Sequence, residues 1–177
     1  ALLRVLGNPL RDIDLTAALL SPLFGFTAVE LAAIRLVGRK LPFYLAVEAK
    51  AGQGDAHCQA FLALFRQLRR LAAVATADQV IREIYTRCDY LGKVQVMGMG
   101  DARRANLLQL VEYACRYHQS GYKGLSGFVG FVDQLLEREG DFAPASALSE
   151  QADVVRVMSI HRSKGLEFPV VFLCDCA

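Results

Sequence analysis

Apolar positions recur at helical spacing along most of the chain, and that spacing changes only near its end. Asp55 to about Val74 is the clearest stretch. Phe61, Leu64, Phe65, Leu68 and Leu71 fall on one side, and Arg66, Arg69 and Arg70 lie mainly on the other, which predicts an amphipathic helix. Starts and stops divide the rest. The opening apolar run is broken at Asn8-Pro9, and Asp12 or Asp14 is placed to cap a second helix up to Leu20. Ser21 to Phe26 reads as a turn. Thr27, with Glu30 three residues on, makes a capping box. The helix it opens runs to about Gly38, with Leu31, Ile34 and Leu36 or Val37 inward. Pro42 suits the first position of the next helix and Gly52 its end. Thr76 and Gln79 repeat the capping-box spacing before a helix to about Cys88. Gly92 to Gly100 reads as a Gly- and Met-containing loop with a short extended piece. A long helix follows from Asp101 to about Gln119, and Ser126 caps another that ends at Gly140.

Beyond that point the pattern changes. Asp141 to Gln151 is small, polar and Pro-containing, as a linker is. From Asp153 two β-branched runs, Val154–Ile160 and Pro169–Leu173, flank a polar knot, His161 to Glu167. The expected fold is therefore mainly α: a helical domain over residues 1–140, a linker over 141–152, and a strand–turn–strand segment over 153–177. No internal repeat of fixed period is present.

Composition narrows the class. The chain is 54% hydrophobic, yet every apolar run is interrupted by Arg, Glu or Gly before it reaches the length of a membrane span. No signal peptide is visible. There is no initiator Met, and both ends look like cuts, so the expectation is a piece of a larger protein. A net charge of +2 says little by itself about nucleic acid. Five cysteines, an odd count without a CxxC pair, fit a reduced cytoplasmic protein.

The candidate chemistry is sparse until the knot. No GxxxxGK[ST] loop occurs, and Gly98-Met99-Gly100 lacks the third glycine of a dinucleotide fingerprint. Gly124, Gly127 and Gly130 surround a helix start, where close packing is reason enough for glycine. Cys115 and His118 share a helix face but have no second pair to complete a metal site, and the adjacent His57-Cys58 suits one poorly. The Arg66/Arg69/Arg70 face can meet phosphates, although such a face is ordinarily just the solvated side. The knot carries an imidazole, a hydroxyl, an ammonium, a flexible glycine and a carboxylate. Lys164 and the amides near Gly165 suit a polyanion, and Glu167 can accept from a ribose hydroxyl. An ordinary turn with a Lys–Glu pair remains the alternative.

VRVMSIHRSKGLEFPVVFL resembles motif V of the UvrD-like superfamily 1 DNA helicases over about 20 consecutive positions. Further upstream, NPLRDIDLTAALLSPLFGFTAVELAAIR, the Arg103–Leu107 run and GLSGFVGFVDQL resemble the AddA-type helicase–nuclease subunits of bacterial AddAB recombination enzymes. The resemblance implies a 2B-type helical subdomain followed by a short remnant of a RecA-like 2A motor domain. It places Ser159 and His161 by single-stranded DNA, Lys164 and Gly165 in the loop linking the DNA and nucleotide sites, and Glu167 near the ATP ribose. Ser21 to Thr27 is similar to the glycine-containing turn that such 2B subdomains present to duplex DNA. Pro22 and Gly25 match it, and Thr27 stands where a second glycine is usual. With Arg66, Arg69 and Arg70, these positions make up the expected DNA-binding set. The parent would be a 3′–5′ helicase of the superfamily 1A kind with an exonuclease, fuelled by ATP and Mg²⁺, in the bacterial cytoplasm. Its partners would be a single-strand/duplex DNA junction and an AddB-like subunit, with self-association through exposed terminal strands as a further outcome. The Walker motifs, the arginine finger and the nuclease residues are absent from these residues. The piece alone is therefore expected to bind no cofactor and to be inactive. The alternative reading is a helical interaction module that docks the partner subunit without binding DNA.

Overall fold

A helix that is apolar on one face must bury that face against other helices, and α5 (Ala56–Ala72) is where this happens most completely. Phe61, Leu62, Phe65 and Leu68 are buried, and Arg66, Arg69 and Arg70 are exposed, as the spacing predicts. The computed structural model describes residues 1–139 and 170–173. Within the first stretch, α5 is preceded by α1 (Leu2–Gly7), α2 (Asp12–Leu20), α3 (Ala28–Val37) and α4 (Phe43–Gly52). It is followed by α6 (Ala77–Arg87), α7 (Tyr90–Gln95), α8 (Gly100–Gln119) and α9 (Leu125–Glu139). The chain divides into two units, Ala1–Ala147 and Leu148–Ala177.

In the first unit α5 packs against α4, α1 and α6, and α6 passes the core on to α7 and α8. Its aromatic spine is continuous: the Phe61 and Phe65 rings lie 5.2 Å apart, and Tyr44 of α4 sits 5.7 Å from Phe65. Val80, Ile81 and Ile84 extend the apolar surface along α6. α9 returns to α1, where the Arg4 guanidinium pairs with Asp133 and also lies 3.5 Å from Asp14 of α2. Mainly α is therefore the architecture of the described residues, which contain no strand.

The helix starts show which local rules hold. Thr27 accepts from the Glu30 amide at 3.2 Å, and the Glu30 carboxylate takes the Thr27 amide at 2.7 Å, so the first capping box forms. Gln79 takes the Thr76 amide at 3.2 Å in the second, while the Thr76 hydroxyl donates to Asp78. Asp55 caps α5 by accepting the Cys58 amide at 2.9 Å.

Four expectations are corrected, and the choice between Leu36 and Val37 is decided. Neither Asp12 nor Asp14 caps α2: Arg11 holds the cap position, Asp12 turns to the amide of Phe43 at 2.8 Å, and Asp14 pairs with Arg11 at 2.7 Å. Pro42 is the cap residue of α4 rather than its first helical residue. Leu36 points to solvent, because α3 packs on α4 with Leu31 and Ile34 alone buried, Val37 remaining half-buried. The Gly92–Gly100 stretch holds no extended piece: its first half belongs to α7 and the remainder is a turn into α8. Ser126 does not cap α9, because the helix begins one residue earlier and Gly124, at φ +87°, supplies the carbonyl that takes the Phe128 amide.

In the second unit Val170–Leu173 are exposed and irregular. The 141–152 linker and the rest of the strand–turn–strand segment lie outside the described residues. No helix among the described residues is long and apolar enough to cross a membrane.

Candidate nucleic-acid interface

Ser21 to Thr27 joins α2 to α3 and is anchored by its aromatic side chains. Phe24 meets Phe61 edge-on at 4.9 Å, and the buried Phe26 stacks on His57 at 3.7 Å. Pro22 and Gly25 stay outside, at the exposed tip. Gly25 sits at φ +68°, where a β-carbon would strain the backbone, so the turn needs glycine there.

The hydrogen bonding of the turn limits what it can offer. The Leu23 amide goes to the Ser21 hydroxyl, and those of Phe24 and Gly25 go to the Ser21 carbonyl. The Phe26 amide reaches the Leu19 carbonyl, and the Thr27 amide is held by Glu30. Every amide from Leu23 to Thr27 is thus already used, whereas phosphate capture needs free ones. The Glu30 carboxylate also occupies the start of α3. Hydrogen bonds from His57, then from the Thr27 amide and hydroxyl, hold its pKa down to about 2, so it is anionic at neutral pH. Among the described residues, the amides left open here are those of Ala28 and Val29, in the first turn of α3. What the turn itself presents is carbonyl groups: Lys93 donates to Leu23 at 3.3 Å, and His57 contacts Phe24 at 2.9 Å.

The three arginines of α5 do not behave alike. Arg66 pairs with Glu48 of α4 at 2.9 Å, and Arg69 donates to the Leu6 carbonyl at the end of α1, satisfying an otherwise open helix terminus. Arg70 has no hydrogen-bond or ion-pair partner among the described residues and keeps its charge free for a ligand. Ser159, His161, Lys164, Gly165 and Glu167 lie outside the described residues.

Other polar groups have structural work. Arg82 donates to the Cys115 sulfur at 3.7 Å, and no group of three or more His, Cys, Asp or Glu is placed to hold a metal among the described residues. A β-carbon on Gly127 would lie 2.3 Å from the Tyr117 hydroxyl, the far end of a side chain, while Gly124 and Gly130 have open space. An apolar cleft of about 350 Å³ opens among α1, α6, α8 and α9, lined by Leu3, Ile84, Leu107, Leu110, Val132 and Leu136. It is invisible along the chain, because four helices must come together to form it.

Residues 45–177 match the family described as UvrD-like helicase C-terminal domain. The AddA protein of Acetivibrio thermocellus, the A-subunit of an ATP-dependent helicase/nuclease, is 42% identical over 99% of this chain, and 14% of that protein is covered. The protein of the same name from Desulforudis audaxviator is also 42% identical, with 99% of this chain and 14% of the relative aligned. That from Bacillus velezensis is 39% identical over 97% of this chain and 14% of its own length. The chain thus spans about one seventh of the relatives it matches.

Proposed function

The chain belongs to the UvrD-like helicase C-terminal domain family, and from that premise we propose that it is the 2B-to-motif-V part of an ATP-dependent helicase/nuclease that works in double-strand-break repair. The single observation that carries this reading is the 42% identity sustained over 99% of the chain to relatives of that name. In this reading the helical unit faces DNA at a single-strand/duplex junction. Gly25 and Thr27 shape the tip, and Arg66, Arg69 and Arg70 line a flank where Arg70 carries the free charge. Ser159 and His161 meet the single strand, and Lys164, Gly165 and Glu167 stand by the nucleotide. ATP and Mg²⁺ are the parent's fuel, its partner is an AddB-like subunit, and its setting is the bacterial cytoplasm. The piece alone is inactive in this reading, since phosphoryl transfer needs phosphate-cradling and metal-holding parts assembled together.

Fluorescence anisotropy with a labelled duplex–single-strand junction, at two salt concentrations, tests the DNA role. Affinity that falls steeply with salt is expected, because each phosphate contact releases counterions. Absence of binding at low salt would remove the DNA-facing reading.

A second reading, docking of the partner subunit without DNA contact, is favoured by one feature. α2 presents Ile13, Ala17 and Leu20 outward, and α3 presents Val29, Ala32 and Leu36, with Ile13 86% and Val29 79% exposed. Two neighbouring helices with apolar outer stripes suit a protein surface better than a phosphate backbone. Pull-down by the partner subunit, abolished in Ile13→Glu with Val29→Glu, would support it.

A further inference from the structure

We propose that His57 is a proton-operated clip that fastens the Ser21–Phe26 turn to the start of α5. Both ring nitrogens are placed against acceptors. Nδ1 lies 2.9 Å from Oε1 of Glu30, and Nε2 lies 2.9 Å from the carbonyl oxygen of Phe24. Both neighbours only accept hydrogen bonds: one is an ionised carboxylate and the other a backbone carbonyl. A neutral imidazole carries a single N–H, so it can satisfy one of them and must face the other with a lone pair. The imidazolium, with two N–H groups, satisfies both. Phe26 stacked on the ring, with planes 12° apart, keeps the imidazole from turning away from either acceptor.

The direction of the switch follows from the strength of the two bonds. When the proton leaves, the remaining N–H stays with the Glu30 carboxylate, because a charge-assisted bond is the stronger. The bond that breaks is therefore the one to Phe24, the residue directly before Gly25. Protonated His57 closes the clip, and neutral His57 releases the Gly25 side of the turn. Lys93 of α7 holds the Leu23 carbonyl independently of the imidazole, so release is confined to the tip.

The charged groups around the ring agree. Glu30 faces it from α3 and Asp55 from the start of α5, while Lys50 at the end of α4 acts on Asp55. Burial pulls the His57 pKa down, but the bonds to Glu30 and to Phe24, with the attraction of Glu30 and Asp55, outweigh it and leave the value raised. The clip thus opens above the ordinary imidazole range. Its consequence for DNA rests on the DNA-facing reading above, but the clip itself does not.

The test is an NMR titration of the isotope-labelled 177-residue chain from about pH 5 to about pH 9, following the His57 ring together with the Phe24 carbonyl and the Gly25 amide. The His57 midpoint is expected above the ordinary 6.5, with the Phe24 and Gly25 signals moving at the same midpoint. Glu30→Gln, which keeps a capping box, should lower that midpoint, and His57→Gln should abolish the pH response of Gly25. A His57 midpoint at or below 6.5, or turn signals that ignore it, would overturn the proposal. Junction binding measured on each side of the midpoint separates the two readings. If the clip titrates while affinity is the same in wild type and His57→Gln, the clip stands and the DNA role of the turn falls.

Discussion

Asp12 and Phe43 are joined across two helices: the carboxylate of the first residue of α2 accepts the amide of the first residue of α4 at 2.8 Å. The same carboxylate also holds Arg35 of α3 at 3.1 Å. One side chain thus fixes the starts or ends of three helices. Replacing Asp12 by Ala removes the only cap of α4 among the described residues, since Pro42 offers none. A loss of about 1–2 kcal/mol is expected in urea unfolding, and Asp12→Asn should retain most of the stability.

Gly38, at the end of α3, lies tight against Ala46 of α4. A β-carbon there would lie 2.7 Å from that of Ala46 and 3.0 Å from its α-carbon. The obstacle is another backbone, which cannot swing aside, so Gly38→Ala should cost about 1–3 kcal/mol by overpacking. Adding Ala46→Gly should recover part of that loss, and a double-mutant cycle would show the coupling.

Phe65 is fully buried at the centre of the aromatic spine. Phe65→Ala should destabilise the chain by about 3–5 kcal/mol, read as a lower denaturation midpoint. Phe65→Leu should cost much less, because most of the volume stays.

The pH dependence of stability has a definite sign on the acid side. The Glu30 carboxylate is stabilised by His57 first and Thr27 next, and its pKa falls from 4.5 to about 2. Its contribution is therefore fully present above pH 4.5 and is lost as pH drops toward 2. For His57 the sign is opposite: the raised value gives stability that is complete below 6.5 and is lost as pH rises through the folded midpoint. Thermal melts across pH should show both limbs, and Glu30→Gln should flatten them together.

Thiol chemistry should follow burial. Desolvation, then the Asp55 side chain, pushes the Cys58 thiol up to about 12, and desolvation also raises Cys88. In native protein at neutral pH, peptide mapping after alkylation should find Cys115 modified well before Cys58 or Cys88. Equal rates would mean that α5 and α6 open far more readily than their packing implies.

What is legible in the sequence is local. The Thr27/Glu30 and Thr76/Gln79 boxes need residues only three positions apart, and the face of α5 repeats within one helix, so both are visible in the letters alone. What escapes is set by distant partners. Asp12 has the look of a cap for its own helix because its true partner, Phe43, is 31 residues away. Leu36 and Val37 read as equal choices for the core because α3 is apolar on two sides, and only packing on α4 decides between them. His57 shows nothing of its role, since Glu30 lies 27 residues away and Phe24 contributes a backbone atom. The α5 arginines are legible as a charged face, but not as one free and two engaged charges. Motif V is the most legible string of all, and all of it before Val170 lies outside the described residues.

The pairing of α1 with α9 has a consequence for how the helical unit opens. Ala1 and Leu2 share a cleft with Leu136, and Arg4 grips Asp133, so the first and last described helices of the unit are clasped to each other. Undoing either helix then costs the contacts of the other, so the two should fray together rather than one at a time.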